Sequence, residues 1–220
     1  MKAAERLRAL LASREAEAWE RVLTRVESLP NIGRKLRRIA HAPSEEELRD
    51  LLAELRYALV FASLGYNVTC EPSGAQRGPD FAVSRADSAL DLEVRRFRPA
   101  SVQVSPELAP DGTLLPYGRG QADVRRAVTR IGEKFAQLES GEGVIALWSD
   151  DNGIEQLEAA LAVSEIREEA RRGTRVLPSN VGWVIFGSAW IDRNGQQLYC
   201  HGLGGAKRPR WCDEIEQIRT

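Results

Sequence analysis

Apolar residues recur at roughly helical spacing near the start of the chain. Leu7, Leu10, Leu11, Ala18, Val22 and Val26 stand among charges, which predicts one amphipathic helix over 3–28. Pro30-Asn31-Ile32-Gly33 breaks that pattern. A better-signalled helix follows. Ser44 and Glu47 form a capping box just after Pro43, and Leu48, Leu51, Leu52, Leu55 and Leu59 make one stripe. Gly65 closes this helix at an expected left-handed cap. At about 100° per residue, Glu54 falls on the edge of the stripe, alongside Ala58 and Phe61, half turned toward the core.

The period then changes from helical to alternating. Residues 66–70 and 80–84 read as strands joined by a Gly/Pro-rich loop, and a turn at 85–88 leads into a third strand over 89–97. On a strand, residues two apart share a face, so Leu90, Leu92 and Val94 point one way and Asp91, Glu93 and Arg95 the other. Phe81 and Val83 likewise oppose Asp80. Such a hairpin covers a core with one face and presents acids on the other.

Residues 98–120, rich in proline and glycine, read as a long loop, a class that is often a functional flap. A helix follows over 121–139, with Val124, Val128, Ile131, Phe135 and Leu138 on one face and Arg125, Arg126, Arg130 and Lys134 on the others. The near-continuous apolar run at 143–148 fits a strand buried on both faces. A helix at 154–172 and strands at 181–187 and 196–200 complete the order, the last opened by a turn at 192–195. Helices interleaved with strands in this way predict an α/β fold with a mixed sheet flanked by helices. Residues 1–43 form an N-terminal helical extension and 44–220 the main domain.

Composition narrows the picture little. The chain has 220 residues, 29% of them charged and 43% hydrophobic, with a net charge of −1. That is a globular composition with no overall excess of positive charge, so any nucleic-acid binding needs a local patch. No apolar run approaches the ~18–20 residues that span a bilayer, and the first residues lack the apolar core of a signal peptide. Cys70, Cys200 and Cys212 show no CxxC spacing, which suits a reducing cytoplasm. Cys200, His201 and Cys212 would make only part of a zinc site, with the fourth ligand missing.

Three acids carry the chemistry. Cleaving a phosphodiester calls for a metal ion that neutralises developing charge and lowers the pKa of the attacking water. Magnesium takes oxygen ligands, often one or two carboxylates with waters and substrate phosphate. Asp80 and Glu93 on adjacent strands would supply the carboxylates and the Val94 carbonyl a third oxygen. Glu54 would hold a metal-bound water, and Arg95 would lie over the scissile phosphate. The order Glu54, then Pro79-Asp80, then Glu93-x-Arg95 resembles the PD-(D/E)xK superfamily of restriction-endonuclease-like nucleases. The resemblance covers roughly residues 44–148.

That resemblance implies a restriction-endonuclease-like core and a Mg²⁺- or Mn²⁺-dependent nuclease acting on nucleic acid, DNA in the first instance. Asp80 and Glu93 match the metal-binding acids, Glu54 the first-helix acid, and Arg95 the position of the motif lysine. Arginine cannot serve as a general base, although its planar fork can position a phosphate. Lys134 is the candidate to supply the missing amine from the following helix, with Gln121 and Gln137 weaker polar candidates there. The alternative is a catalytically silent member that binds nucleic acid or a protein partner. A third reading is an interaction protein whose acids merely solvate the surface.

Candidate nucleic-acid contacts are Arg96 and Arg98 beside the acids, and Arg125, Arg126 and Arg130 on the next helix. Phe97 or Trp211 would stack on a base. The run Arg34-Lys35-Leu36-Arg37-Arg38 reads first as a solvated helix face and second as a phosphate-contacting patch. The N-terminal helix would serve either as a homodimer surface or as a brace for the sheet.

Overall fold

The structure is a computed structural model, and it describes residues 2–73, 78–86, 88–98, 120–135, 138, 142–149, 154–188, 198–204 and 207–218. Residues 99–119 of the expected loop, the turn at 192–195, Gln137 and the Gln121 side chain lie outside the described residues, and Gly120 opens a helix.

Four helices come first: α1 (Ala3–Leu10), α2 (Ser13–Val26), α3 (Ile32–Ala40) and α4 (Glu45–Ser63). The expected single helix over 3–28 is therefore two, because Leu11 takes an extended conformation (φ −112°, ψ 157°). That break turns the chain so that Leu7, Leu11, Trp19 and Leu23 all reach the core, whereas Ala18 is exposed. The run at 34–38 also forms a helix, so the extension holds three helices rather than one. In α4 the Ser44 hydroxyl accepts the Glu47 N–H at 3.2 Å, and Gly65 beyond its end has φ +79°, as the capping pattern expects.

The strands are β1 (Asn67–Cys70), β2 (Phe81–Arg85), β3 (Ser88–Phe97), β4 (Glu142–Ser149), β5 (Val181–Ser188) and β6 (Leu198–Gly202). They form a six-stranded sheet in sequence order. β1, β2 and β3 run antiparallel as a meander, β3, β4 and β5 are parallel, and β6 is antiparallel to β5. The parallel pairs need crossovers, which α5 (Gly120–Lys134) and α6 (Gln156–Arg171) supply. This is an α/β fold with helices on both faces of a mixed sheet.

Two apolar cores result, one on each face. Leu90, Leu92 and Val94 of β3 face α4 with Phe81 and Val83, while Phe97 faces α5 and α6 with Ile131 and Ile166. β4 feeds both cores, Val144 and Ala146 one and Ile145 and Leu147 the other, as its continuous apolar run requires. The short helix α7 (Arg210–Glu216) carries no strong periodicity in sequence. It buries Trp211, Cys212 and Ile215 against the first core. Trp211 is 2% exposed, with its ring 6.1 Å from those of Phe61 and Trp183. Neither Trp211 nor Phe97, itself 3% exposed, offers a face for base stacking. Both aromatics are core residues, contrary to the stacking expectation.

Among the described residues, no helix is long and apolar enough to cross a membrane.

Candidate functional site

The β2–β3 pairing ends at Phe81↔Leu92. Beyond it the edge of β3 runs on alone past Glu93 and Val94, and the acids gather in this notch. Asp80, just before β2, turns its Oδ2 onto the Val94 N–H at 2.9 Å. The N–H and C=O of a strand residue leave on the same side, so the Val94 carbonyl faces the notch too. Glu54 enters from α4 on one face of the sheet. Glu93 enters on the other, the face it shares with Arg95 and Phe97.

Two lysines pair with the acids. The Lys35 side chain is fully buried, contrary to the solvated-face expectation, and its ammonium donates to Glu54 Oε2. The same nitrogen stands 3.8 Å from Asp80 Oδ1, 4.0 Å from Glu71 Oε1 and 4.5 Å from the Phe81 ring centroid. Lys134 reaches down from α5 to Glu93 Oε1. Glu71, at the left-handed φ of +43°, caps the mouth and is held by Arg38 at 3.2 Å and Arg34 at 3.6 Å.

The electrostatics follow from this crowding. Burial first, and then the Asp80 charge, push Glu54 up to about 7 against the pull of Lys35. Burial and Asp80 likewise push Glu93 up to about 7 against the pull of Lys134. Burial alone would lower the Lys35 ammonium, but Glu54, Asp80 and Glu71 outweigh it, and its pKa is raised. Glu93 is 1% exposed, and its Oε2 is buried without a hydrogen-bond partner. An orphaned carboxylate oxygen among like charges is costly unless a cation meets it.

These shifts set a pH dependence. Each raised carboxyl binds its proton more tightly folded than unfolded, where the ordinary value is 4.5. Between that value and about 7 the folded chain holds more protons, so its stability falls as pH rises through the window. The melting temperature of the metal-free protein is expected to drop from about pH 5 to about pH 8. At this chain length each kcal/mol is worth about 2–4 °C, which differential scanning fluorimetry resolves. A profile that climbs across this range would contradict the buried acid cluster.

The structure thus brings together Glu54, Asp80, Glu93, the Val94 backbone and Lys134, and adds Lys35 and Glu71. Arg95 is half-buried beside them, close enough for its charge to act on Glu133. The other arginines separate. Arg96 faces α4 with its side chain 2% exposed, clamped by Glu46 at 2.9 Å and Asp50 at 3.0 Å. That burial corrects its expected role as a phosphate contact. Arg98 is exposed, bound to Asp50 on the same face. Arg130 and Arg126 lie one and two turns before Lys134 along α5, with Arg126 stacked 5.5 Å from the Phe97 ring centroid. Arg125 is exposed on the outer side of that helix.

Among the described residues, no three His, Cys, Asp or Glu side chains stand together as a ready-made ligand set. Two carboxylates and waters nonetheless suffice for magnesium. The hard oxygen donors and the orphaned Glu93 Oε2 fit such an ion. A separate apolar cavity of about 310 Å³ lies between α2, α4 and the ends of β4 and β6, and contains none of these acids. There Arg56 is sandwiched between Trp19 and Trp148, 4.6 Å and 4.5 Å from the two ring centroids.

Compared with family models, curated proteins and solved structures, the chain matched none.

Proposed function

We propose that this protein is a divalent-cation-dependent nuclease with a restriction-endonuclease-like core, cutting nucleic-acid phosphodiester bonds at the notch beyond β2. One observation carries the reading: Glu54, Asp80 and Glu93, separated by up to about forty residues, converge there around Lys35 and Lys134. The element order α4–β1–β2–β3–α5–β4, with β4 parallel to β3, supports it, because the PD-(D/E)xK resemblance implies that order.

Asp80 and Glu93 would hold Mg²⁺ or Mn²⁺, with the Val94 carbonyl beside them. The bound ion supplies charge neutralisation and a water of lowered pKa. Asp80 also fixes the backbone at Val94, so ligand and strand are positioned by one carboxylate. Glu54 stands where it can accept a proton from a water near Asp80. Arg95 on the strand and Arg126 and Arg130 along α5 lie on the Glu93 side of the sheet, Arg126 paired with Asp123 and Arg130 with Glu133, and would contact phosphates by exchanging those acids for them.

The first test incubates the purified full chain with plasmid and with single-stranded DNA in Mg²⁺ or Mn²⁺. Cleavage that stops on chelation is the expected result. A specific observation favours a second reading, a silent nucleic-acid binder: the motif lysine is arginine, and both nearby amines are engaged in ion pairs. That reading predicts retarded migration at low salt with no cleavage in any metal. Neither cleavage nor retardation would leave only the interaction protein.

Arg95→Lys separates two roles at that position. Lys35 and Lys134 already bring amines to the acids, so the substitution is expected to leave the cleavage rate within about threefold. Acceleration of about a hundredfold, the low end of what a positioned proton-transfer group contributes, would make position 95 the missing base.

A further inference from the structure

We infer that the acid cluster takes a single divalent cation, because the Lys35 ammonium occupies the position that a second ion would need. The inference rests on the nuclease reading above and fixes how many ions that site holds.

Two-ion phosphodiester sites place their metals about 3.5–4 Å apart, with carboxylates shared between them. Here Asp80 and Glu93 would define the first position: the Asp80 charge acts on Glu93, whose Oε2, on a side chain 1% exposed, has no hydrogen-bond partner. The remaining acids, Glu54 and Glu71, could build a second position only together with Asp80, around the point where all three approach Lys35. The Lys35 nitrogen already lies there, donating to Glu54 Oε2 and 3.8 Å from Asp80 Oδ1. Phe81 walls the same nitrogen from below, its ring centroid 4.5 Å away.

Lys35 cannot swing out of the way. Its side chain is fully buried, and Ile32 and Ile39 anchor the same face of α3 in the core. Glu71, 4.0 Å from the same ammonium, is already held by Arg38 at 3.2 Å and Arg34 at 3.6 Å. Lys35 is thus a positioning residue, a fixed cation that keeps a second metal from the space between Glu54 and Asp80.

Counting bound Mn²⁺ by electron paramagnetic resonance, with titration calorimetry beside it, tests this without any turnover. The parent chain is expected to bind one Mn²⁺. Lys35→Met removes the ammonium while keeping an unbranched apolar stem, and is expected to bind two. Glu54→Gln is expected to remain at one, and Glu93→Gln to lose binding at least tenfold. Two ions on the parent, or one on a folded Lys35→Met chain, would overturn the inference while leaving a metal-dependent nuclease intact. Should Lys35→Met fail to fold, the parent and Glu54→Gln counts still decide. No Mn²⁺ on the parent would overturn both this inference and the nuclease reading.

Discussion

Asp80→Asn is expected to reduce divalent-dependent cleavage on the order of 10³-fold or more, while the protein stays folded. A metal-bound site supplies several kcal/mol to the transition state, and each 1.36 kcal/mol is a tenfold change in rate. Asparagine is the informative choice. Its amide oxygen can still accept the Val94 N–H, now held at 2.9 Å by Asp80 Oδ2, so the strand edge keeps its partner. What disappears is the charge. Asp80 is also the neighbour that most raises Glu54 and Glu93 after burial itself, so removing it relieves like-charge repulsion. The melting temperature of the variant is therefore expected to match or exceed the parent's. Lost cleavage with unchanged or higher stability indicates a charge kept for chemistry. Lost cleavage with a large fall in stability would make Asp80 a structural residue.

The second large effect concerns stability alone. Trp211→Ala is expected to cost about 3–5 kcal/mol, the usual range for emptying a buried tryptophan site. At about 2–4 °C per kcal/mol that lowers the melting temperature by about 10 °C. Trp211 is 2% exposed and docks α7 onto the first core through Phe61 and Trp183. Its indole Nε1 is buried without a hydrogen-bond partner, so Trp211→Phe, which removes that donor and keeps most of the volume, is expected to cost less than half as much. A base-stacking tryptophan would behave differently: affinity for nucleic acid would fall and stability would hold.

The elements with strong local signals were legible in sequence. The Ser44 capping box, the leucine stripe and Gly65 define α4, and the uninterrupted apolar run defines β4. The alternation across β3 correctly separated Leu90, Leu92 and Val94 from Glu93, although the acid face proved to be covered by α5 instead of open. The burial of Lys35 is masked in the sequence for a physical reason. A run of basic residues reads as a wetted surface, yet Ile32, Lys35, Leu36 and Ile39 follow the i, i+3, i+4, i+7 spacing of a buried stripe. Weighting that spacing over the charge would have turned Lys35 inward. Glu71 left no comparable trace, because its place depends on a left-handed turn at a non-glycine residue. α7 is too short for its periodicity to stand out, and only packing against Phe61 and Trp183 reveals why Trp211 sits there. Arg96 shows the same limit, since the pattern placed it on β3 but only α4 could reveal its partners Glu46 and Asp50.

The most direct test is a crystal structure of the protein grown or soaked in Mn²⁺, read by anomalous scattering. One peak is expected in the notch beyond β2, about 2.0–2.2 Å from oxygens of both Asp80 and Glu93, with Lys35 still seated against Glu54. Saturating Mn²⁺ with no peak there, and the Glu93 carboxylate turned away from Asp80, would contradict it.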